Sequence, residues 1–154
     1  MPCPFPLSGV VAFAGSRFGS PWSVAPVVAA VLAAGGVVRV GCARGVDSAV
    51  RSAAADGSPG SLAVVSASSF GSGRRALAAR TRSVVSGPGV RVLCLFPPAS
   101  GVLGPGSSLA LSVALERGLP VWSAGPRPVG AGWQPCALAG VPGWLCSASQ
   151  GSLF

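Results

Sequence analysis

Residues 37–55 read VVRVGCARGVDSAVRSAAA, and the way this stretch divides decides the fold. Val37 to Gly41 is a short run dominated by valine, the composition of a buried strand. Gly41-Cys42-Ala43-Arg44-Gly45 is a turn bracketed by two glycines. From Val46 to Ala55 small and apolar residues suit a helix, closed by Asp56-Gly57. Asp47 stands at the start of that helix, where a carboxylate caps free amides and complements the helix dipole.

The same alternation extends in both directions. Upstream, Val10 to Ala14 (VVAFA) reads as a strand ending in Gly15-Ser16-Arg17. A helix follows, with Ser20 as N-cap and Pro21 in its first turn, running to about Ala34 and stopping at Gly35-Gly36. Downstream come a strand at Leu62 to Ser66, a helix at Arg74 to Val85 and a strand at Val90 to Phe96 that ends at Pro97-Pro98. A helix at Ser107 to Arg117 and a strand at Leu119 to Ser123 complete the series. Strands apolar at nearly every position, alternating with helices, point to an α/β fold. The expected architecture is a Rossmann-like three-layer sandwich around a five-stranded parallel sheet. Right-handed crossovers then gather every strand-to-helix loop on one edge. Residues 1–125 make up this domain. Residues 126–154 form a Gly/Pro/Trp-rich extension packed on it, with a β-hairpin at Gly132 to Leu138 and Gly143 to Ser147 that covers a face or an edge of the sheet.

The chain has 154 residues, enough for one domain that buries its core without disulfides or metal. Its 11 basic residues are all arginine, against Asp47, Asp56 and Glu116, for a formal charge of +8. Such a balance favours polyanions, although a GC-rich gene would also replace Lys with Arg and carry few acids. The five cysteines, Cys3, Cys42, Cys94, Cys136 and Cys146, form no CxxC pair and there is no histidine, so no metal site is expected. Cys42 and Cys94 read as core residues, while Cys136 and Cys146 are the pair that a hairpin could bring together. The apolar stretch from Ala25 to Val38 falls short of the ~20 residues that cross a bilayer. The N-terminus lacks the basic and apolar regions of a signal peptide. A cytoplasmic protein with no membrane partner is expected.

Four segments on the expected edge carry chemistry. Gly15-Ser16-Arg17 offers a close backbone approach, a hydroxyl and a bidentate cation for phosphate. Ala43-Arg44-Gly45 projects Arg44 beside Asp47. The third helix brings Arg80 and Arg82. Gly104-Pro105-Gly106-Ser107-Ser108 precedes the fourth helix, whose free amides suit an anion. The GSR at 15–17 followed by GCARGVDSAVRSAA at 41–54 resembles the SLOG superfamily of Rossmann-like proteins, nearest its DNA-processing protein A branch and small stand-alone relatives. Arg80-Thr81-Arg82 is similar to that group's edge arginine, without the asparagine that often follows it. Residues 104–108 are similar to its second glycine loop, which cups a phosphate. The resemblance covers about residues 8–125 and implies a nucleotide or single-stranded DNA as ligand.

The chain also departs from that group. Its phosphoribohydrolases carry PGGxGTxxE with a catalytic Glu, whereas residues 104–116 read GPGSSLALSVALE and place Glu116 too far along the helix. With no histidine and only Asp47 near these loops, acid–base chemistry has little to work with. The reading is therefore a non-enzymatic binder with no catalytic residue and no cofactor. Its partner is a nucleotide or single-stranded nucleic acid, and homo-oligomerisation is left open. The alternatives are a nucleotide N-glycosidase using Asp47, and an assembly module whose Trp133 and Trp144 make an interface.

Overall fold

The computed structural model describes residues 5–147. The chain order is β1 (Val10–Gly15), α1 (Ala25–Ala33), β2 (Val37–Gly41), α2 (Val46–Ala54), β3 (Leu62–Val65), a 3-10 turn (Ala67–Phe70), α3 (Gly73–Ser86), β4 (Val90–Phe96), α4 (Pro105–Glu116), β5 (Val121–Ala124), β6 (Gln134–Pro135) and β7 (Gly143–Cys146). One mostly parallel, open sheet holds seven strands in the order β3-β2-β1-β4-β5-β7-β6. The pairings from β3 through β5 are parallel, and those of β7 with β5 and β6 are antiparallel.

The unbroken apolar strands follow from burial on both faces. Along β4, Val92, Cys94 and Phe96 point into a cluster with Val28 and Val31 of α1 and Val46 and Val50 of α2. The alternate residues Leu93 and Leu95 join Val84 and Val85 of α3 and Ala110 and Ala114 of α4. Phe13, Phe96 and Trp122 form an aromatic row in the first cluster, with ring centroids 6.3 Å apart for the first pair and 5.6 Å for the second.

Several expectations need correction. The sheet has seven strands rather than five, because the C-terminal extension enters it. β7 lies against β5, and the hairpin strands are shorter than the sequence suggests. Trp133 is buried and Trp144 half-buried, both packed within the second cluster. Cys136 donates its amide to the Gly143 carbonyl, and none of Cys42, Cys94, Cys136 and Cys146 is in a disulfide; Cys3 lies outside the described residues. The first helix begins at Ala25, not at Pro21. Ser20 is held elsewhere: its hydroxyl donates to the Pro97 carbonyl at 2.6 Å and accepts from the Trp22 amide at 3.3 Å, tying the loop after β1 to the end of β4. The fourth helix starts earlier, at Pro105, since proline suits the first helical position. Arg39, in β2, donates to the carbonyls of Ser83 and Val84 at 2.8–3.1 Å and so caps the C-terminal turn of α3. No helix among the described residues is long and apolar enough to cross a membrane.

Candidate functional site

The carboxyl ends of β1 and β2 open onto a cleft of about 650 Å3, walled on the other side by α3 and the start of α4. Gly15, Ser16, Arg17, Ala43, Asp47, Arg80, Gly104, Gly106 and Ser107 all line it. Segments spread over most of the chain thus converge on one site. Arg44, Gly45, Arg82 and Ser108 lie outside the lining, with Arg44, Arg82 and Ser108 exposed.

Two of these displacements have a simple geometric cause. A helix turns about 100° per residue, so Arg80 and Arg82 stand about 200° apart on α3 and cannot share a wall. The face that meets the cleft runs through Arg74, Leu77, Ala78, Thr81, Val84 and Val85, spaced at three and four residues. Arg74 is therefore a cleft residue that sequence reading passed over, and the helical period would have identified it. Ser108 is the first residue of α4 whose amide bonds back, to the Gly104 carbonyl at 2.9 Å.

Loop 41–47 is built by its own polar groups. The Asp47 carboxylate accepts from the Ala43 amide at 3.2 Å, and Arg51 donates to the carbonyls of Gly41 and Ala43 at 2.9 and 3.0 Å. The cations whose charge bears on Asp47 are Arg80 and Arg51 rather than the neighbouring Arg44. Gly41 permits this arrangement, because a Cβ there would stand 2.8 Å from the Asp47 Oδ2 and 3.2 Å from the Arg80 side chain. Arg80 is steadied in turn by its Nη1, 3.6 Å from the Cys42 Sγ, which also accepts from the Ala67 amide at 3.2 Å. Cys42 is thus not a plain core residue. The Ala67 amide, and after it Arg80, draw its thiol below the ordinary cysteine value against the opposing effect of burial.

The anion donors are distributed unevenly. The Ser16 carbonyl accepts the Val46 amide at 3.0 Å, so the start of α2 is already partly occupied by protein. Gly15 lines the cleft, and its missing Cβ also makes room for the Phe96 carbonyl and the Val46 side chain. The start of α4 is open. The Gly106 and Ser107 amides precede the first helical bond, and a Cβ on Gly106 would meet nothing within 4 Å. Ser107, only 5 % exposed, lines the cleft beside it. With Arg17, Arg74 and Arg80, these groups make one polar, cationic region beside an apolar wall.

Gly45 locks the two loops together. Its φ is +67°, and a Cβ there would run into the backbone of Ser16 and Arg17. Gly45→Ala is expected to destabilise the fold by more than about 1 kcal/mol. The comparison is Gly60→Ala, which has a φ of +83° but open space around it. Urea unfolding should show the larger loss at Gly45; equal losses would mean that the loops are not in contact.

No family model matches the chain, and neither a curated protein nor a solved structure matches it. The site therefore has to be read from its own chemistry. No cluster of three or more metal-ligating side chains occurs among the described residues.

Asp47 is the single carboxylate in the lining and is 8 % exposed. Burial raises its pKa above 3.8, although the Ala43 amide, Arg80 and Arg51 oppose the shift. A folded-state pKa above the unfolded one means that the native state holds the proton more tightly. This contribution is largest below the unfolded pKa and is lost as pH rises through the folded one. Asp47→Asn, which keeps an acceptor for Ala43, is expected to melt higher than the parent at pH 7. The difference should shrink as pH falls toward 4. Melting curves across that range decide it, and a difference independent of pH would contradict the burial cost.

Proposed function

We propose that this protein is a non-enzymatic binder of a phosphate-bearing ligand, a nucleotide or single-stranded nucleic acid, held in the cleft at the carboxyl edge of the sheet. The observation that carries the reading is the meeting of Arg17, Arg74 and Arg80 with the open N-terminus of α4 and the cleft-lining Ser107. A phosphate completes every one of those groups. Its oxygens accept from the Gly106 and Ser107 amides and from the Ser107 hydroxyl, and the guanidinium groups neutralise its charge.

The topology supports the same reading. Strand order reverses between β1 and β4, and the cleft lies beyond the carboxyl ends of the strands at that point. Rossmann-like sheets place their ligands in such a crevice. Of the residues that carry the resemblance to the SLOG superfamily, Gly15, Ser16, Arg17, Ala43, Asp47, Arg80 and 104–107 line it, whereas Arg44, Gly45, Arg82 and Ser108 do not. The cleft volume also lies within the range of small-ligand sites.

A second reading rests on Asp47. A buried carboxyl with a raised pKa suits the protonation of a leaving base, as in a nucleotide N-glycosidase. No second carboxylate lines the cleft to stabilise an oxocarbenium-like transition state. Incubation with nucleoside monophosphates is expected to release no free base; stoichiometric or faster release would establish the hydrolase instead.

Binding should depend on salt. Three cleft arginines neutralising three phosphates of a single strand predict a log–log slope of about −2, or an affinity loss of roughly tenfold to twentyfold between 50 and 200 mM salt. Fluorescence anisotropy with a labelled oligothymidylate measures this. Affinity that stays flat over the range would exclude phosphate contacts as its basis.

A further inference from the structure

Phe18 is 87 % exposed, the most exposed of the large apolar side chains, and it lines the cleft. Its backbone is held. The Phe18 amide donates to the Ser16 Oγ at 3.1 Å, and the Gly19 amide donates to the Ser16 carbonyl at 3.1 Å, so the residue rides on a closed turn at the end of β1. The Arg17 guanidinium carbon stands 5.2 Å from its ring centroid, within cation–π range. Leu77, 43 % exposed on α3, lines the same cleft. An aromatic ring in water, in the same cleft as an exposed leucine and next to Arg17, has no function in the core. It presents a π surface beside a phosphate site.

Building on the phosphate-binding reading, we infer that Phe18, with Leu77, is the specificity element of the cleft and stacks on the nucleobase of the ligand while the cationic region holds its phosphate. The shared chemistry is a planar heterocycle joined through a sugar to phosphate, whether in a free nucleotide or in a strand. Phosphate alone, or a sugar phosphate, would use the cations and leave Phe18 bare.

The test is calorimetric titration of the full chain and of Phe18→Ala with four probes: inorganic phosphate, ribose 5-phosphate, adenosine 5′-monophosphate and oligothymidylate. In the parent, at least one of the two nucleobase probes should bind roughly fivefold to a hundredfold more tightly than ribose 5-phosphate, the range of one base–aromatic stack. Phe18→Ala should remove that advantage and leave ribose 5-phosphate unchanged, and Phe18→Trp should retain it. Because the ring is exposed, the alanine variant should melt with the parent. The probe that loses affinity identifies the source: the monophosphate for a free nucleotide, the oligothymidylate for a strand. If ribose 5-phosphate binds as well as both nucleobase probes, or if Phe18→Ala leaves their advantage intact, the stacking inference fails while the phosphate site stands. If none of the four probes binds, both fail.

Discussion

Trp122→Ala is expected to cost roughly 3–5 kcal/mol, the usual range for deleting a fully buried aromatic and a large share of the 5–15 kcal/mol that holds a typical domain. Trp122 is 0 % exposed and packs edge-on to Phe96. Its Nε1 donates to the Cys136 carbonyl at 2.7 Å, and its ring occupies the space that a side chain on Gly143 would need. One residue of β5 therefore joins the aromatic row of the core to the segment that supplies β6 and β7. Its loss leaves a cavity, an unpaired carbonyl and a loosened sheet edge. Urea unfolding measures the cost, and thiol labelling of Cys136 and Cys146 should accelerate. A cost below about 1 kcal/mol, the scale of an ordinary surface change, would mean that the extension does not rest on Trp122.

The second large effect concerns binding. Arg17→Ala combined with Arg80→Ala is expected to lower affinity for a phosphate-bearing ligand by about two orders of magnitude or more, at ~1.5–3 kcal/mol for each charged hydrogen bond lost. Neither side chain anchors the core. Arg17 is exposed, and the hydrogen bond from the Arg80 side chain is the long one to Cys42. Melting temperature should change little. Arg44→Ala and Arg82→Ala remove the same charge from exposed positions outside the cleft and serve as controls. They should weaken binding only modestly, by loss of long-range attraction, and the difference should shrink in salt. Equal losses in all variants would show that binding follows overall charge rather than the cleft.

The sequence conveys the central strands well, because residues buried on both faces leave continuous apolar runs such as VRVLCLF in β4. The edge was harder to read. The edge hairpin was legible in place but not in length: Gly143–Cys146 pairs with β5, and the first arm contributes the two residues Gln134–Pro135, which pair with β7. Ser20 and Pro21 carry the residue types of a helix start, but the Ser20 hydroxyl is drawn to Pro97, distant in sequence, and helix α1 begins later. The loops of the site were legible as glycine turns, and most of their residues share the cleft. The roles of individual arginines were not. Arg39 and Arg51 are bound to backbone carbonyls that only the fold brings near, and the choice among Arg74, Arg80 and Arg82 depends on the phase of α3. Arg44, read in the sequence as projecting from its loop beside Asp47, is exposed but outside the cleft.

Phosphate is proposed to bind between the loop after β1 and the N-terminus of α4. Titrating isotope-labelled protein with adenosine 5′-monophosphate and with an oligothymidylate, while following backbone amide resonances, tests it most directly. Saturable shifts are expected at Ser16, Arg17, Ala43, Gly106 and Ser107, with the largest at Gly106 and Ser107, whose amides are open to the ligand. Saturable shifts confined to residues outside the cleft, or none at Gly106 and Ser107 with either probe, would contradict it.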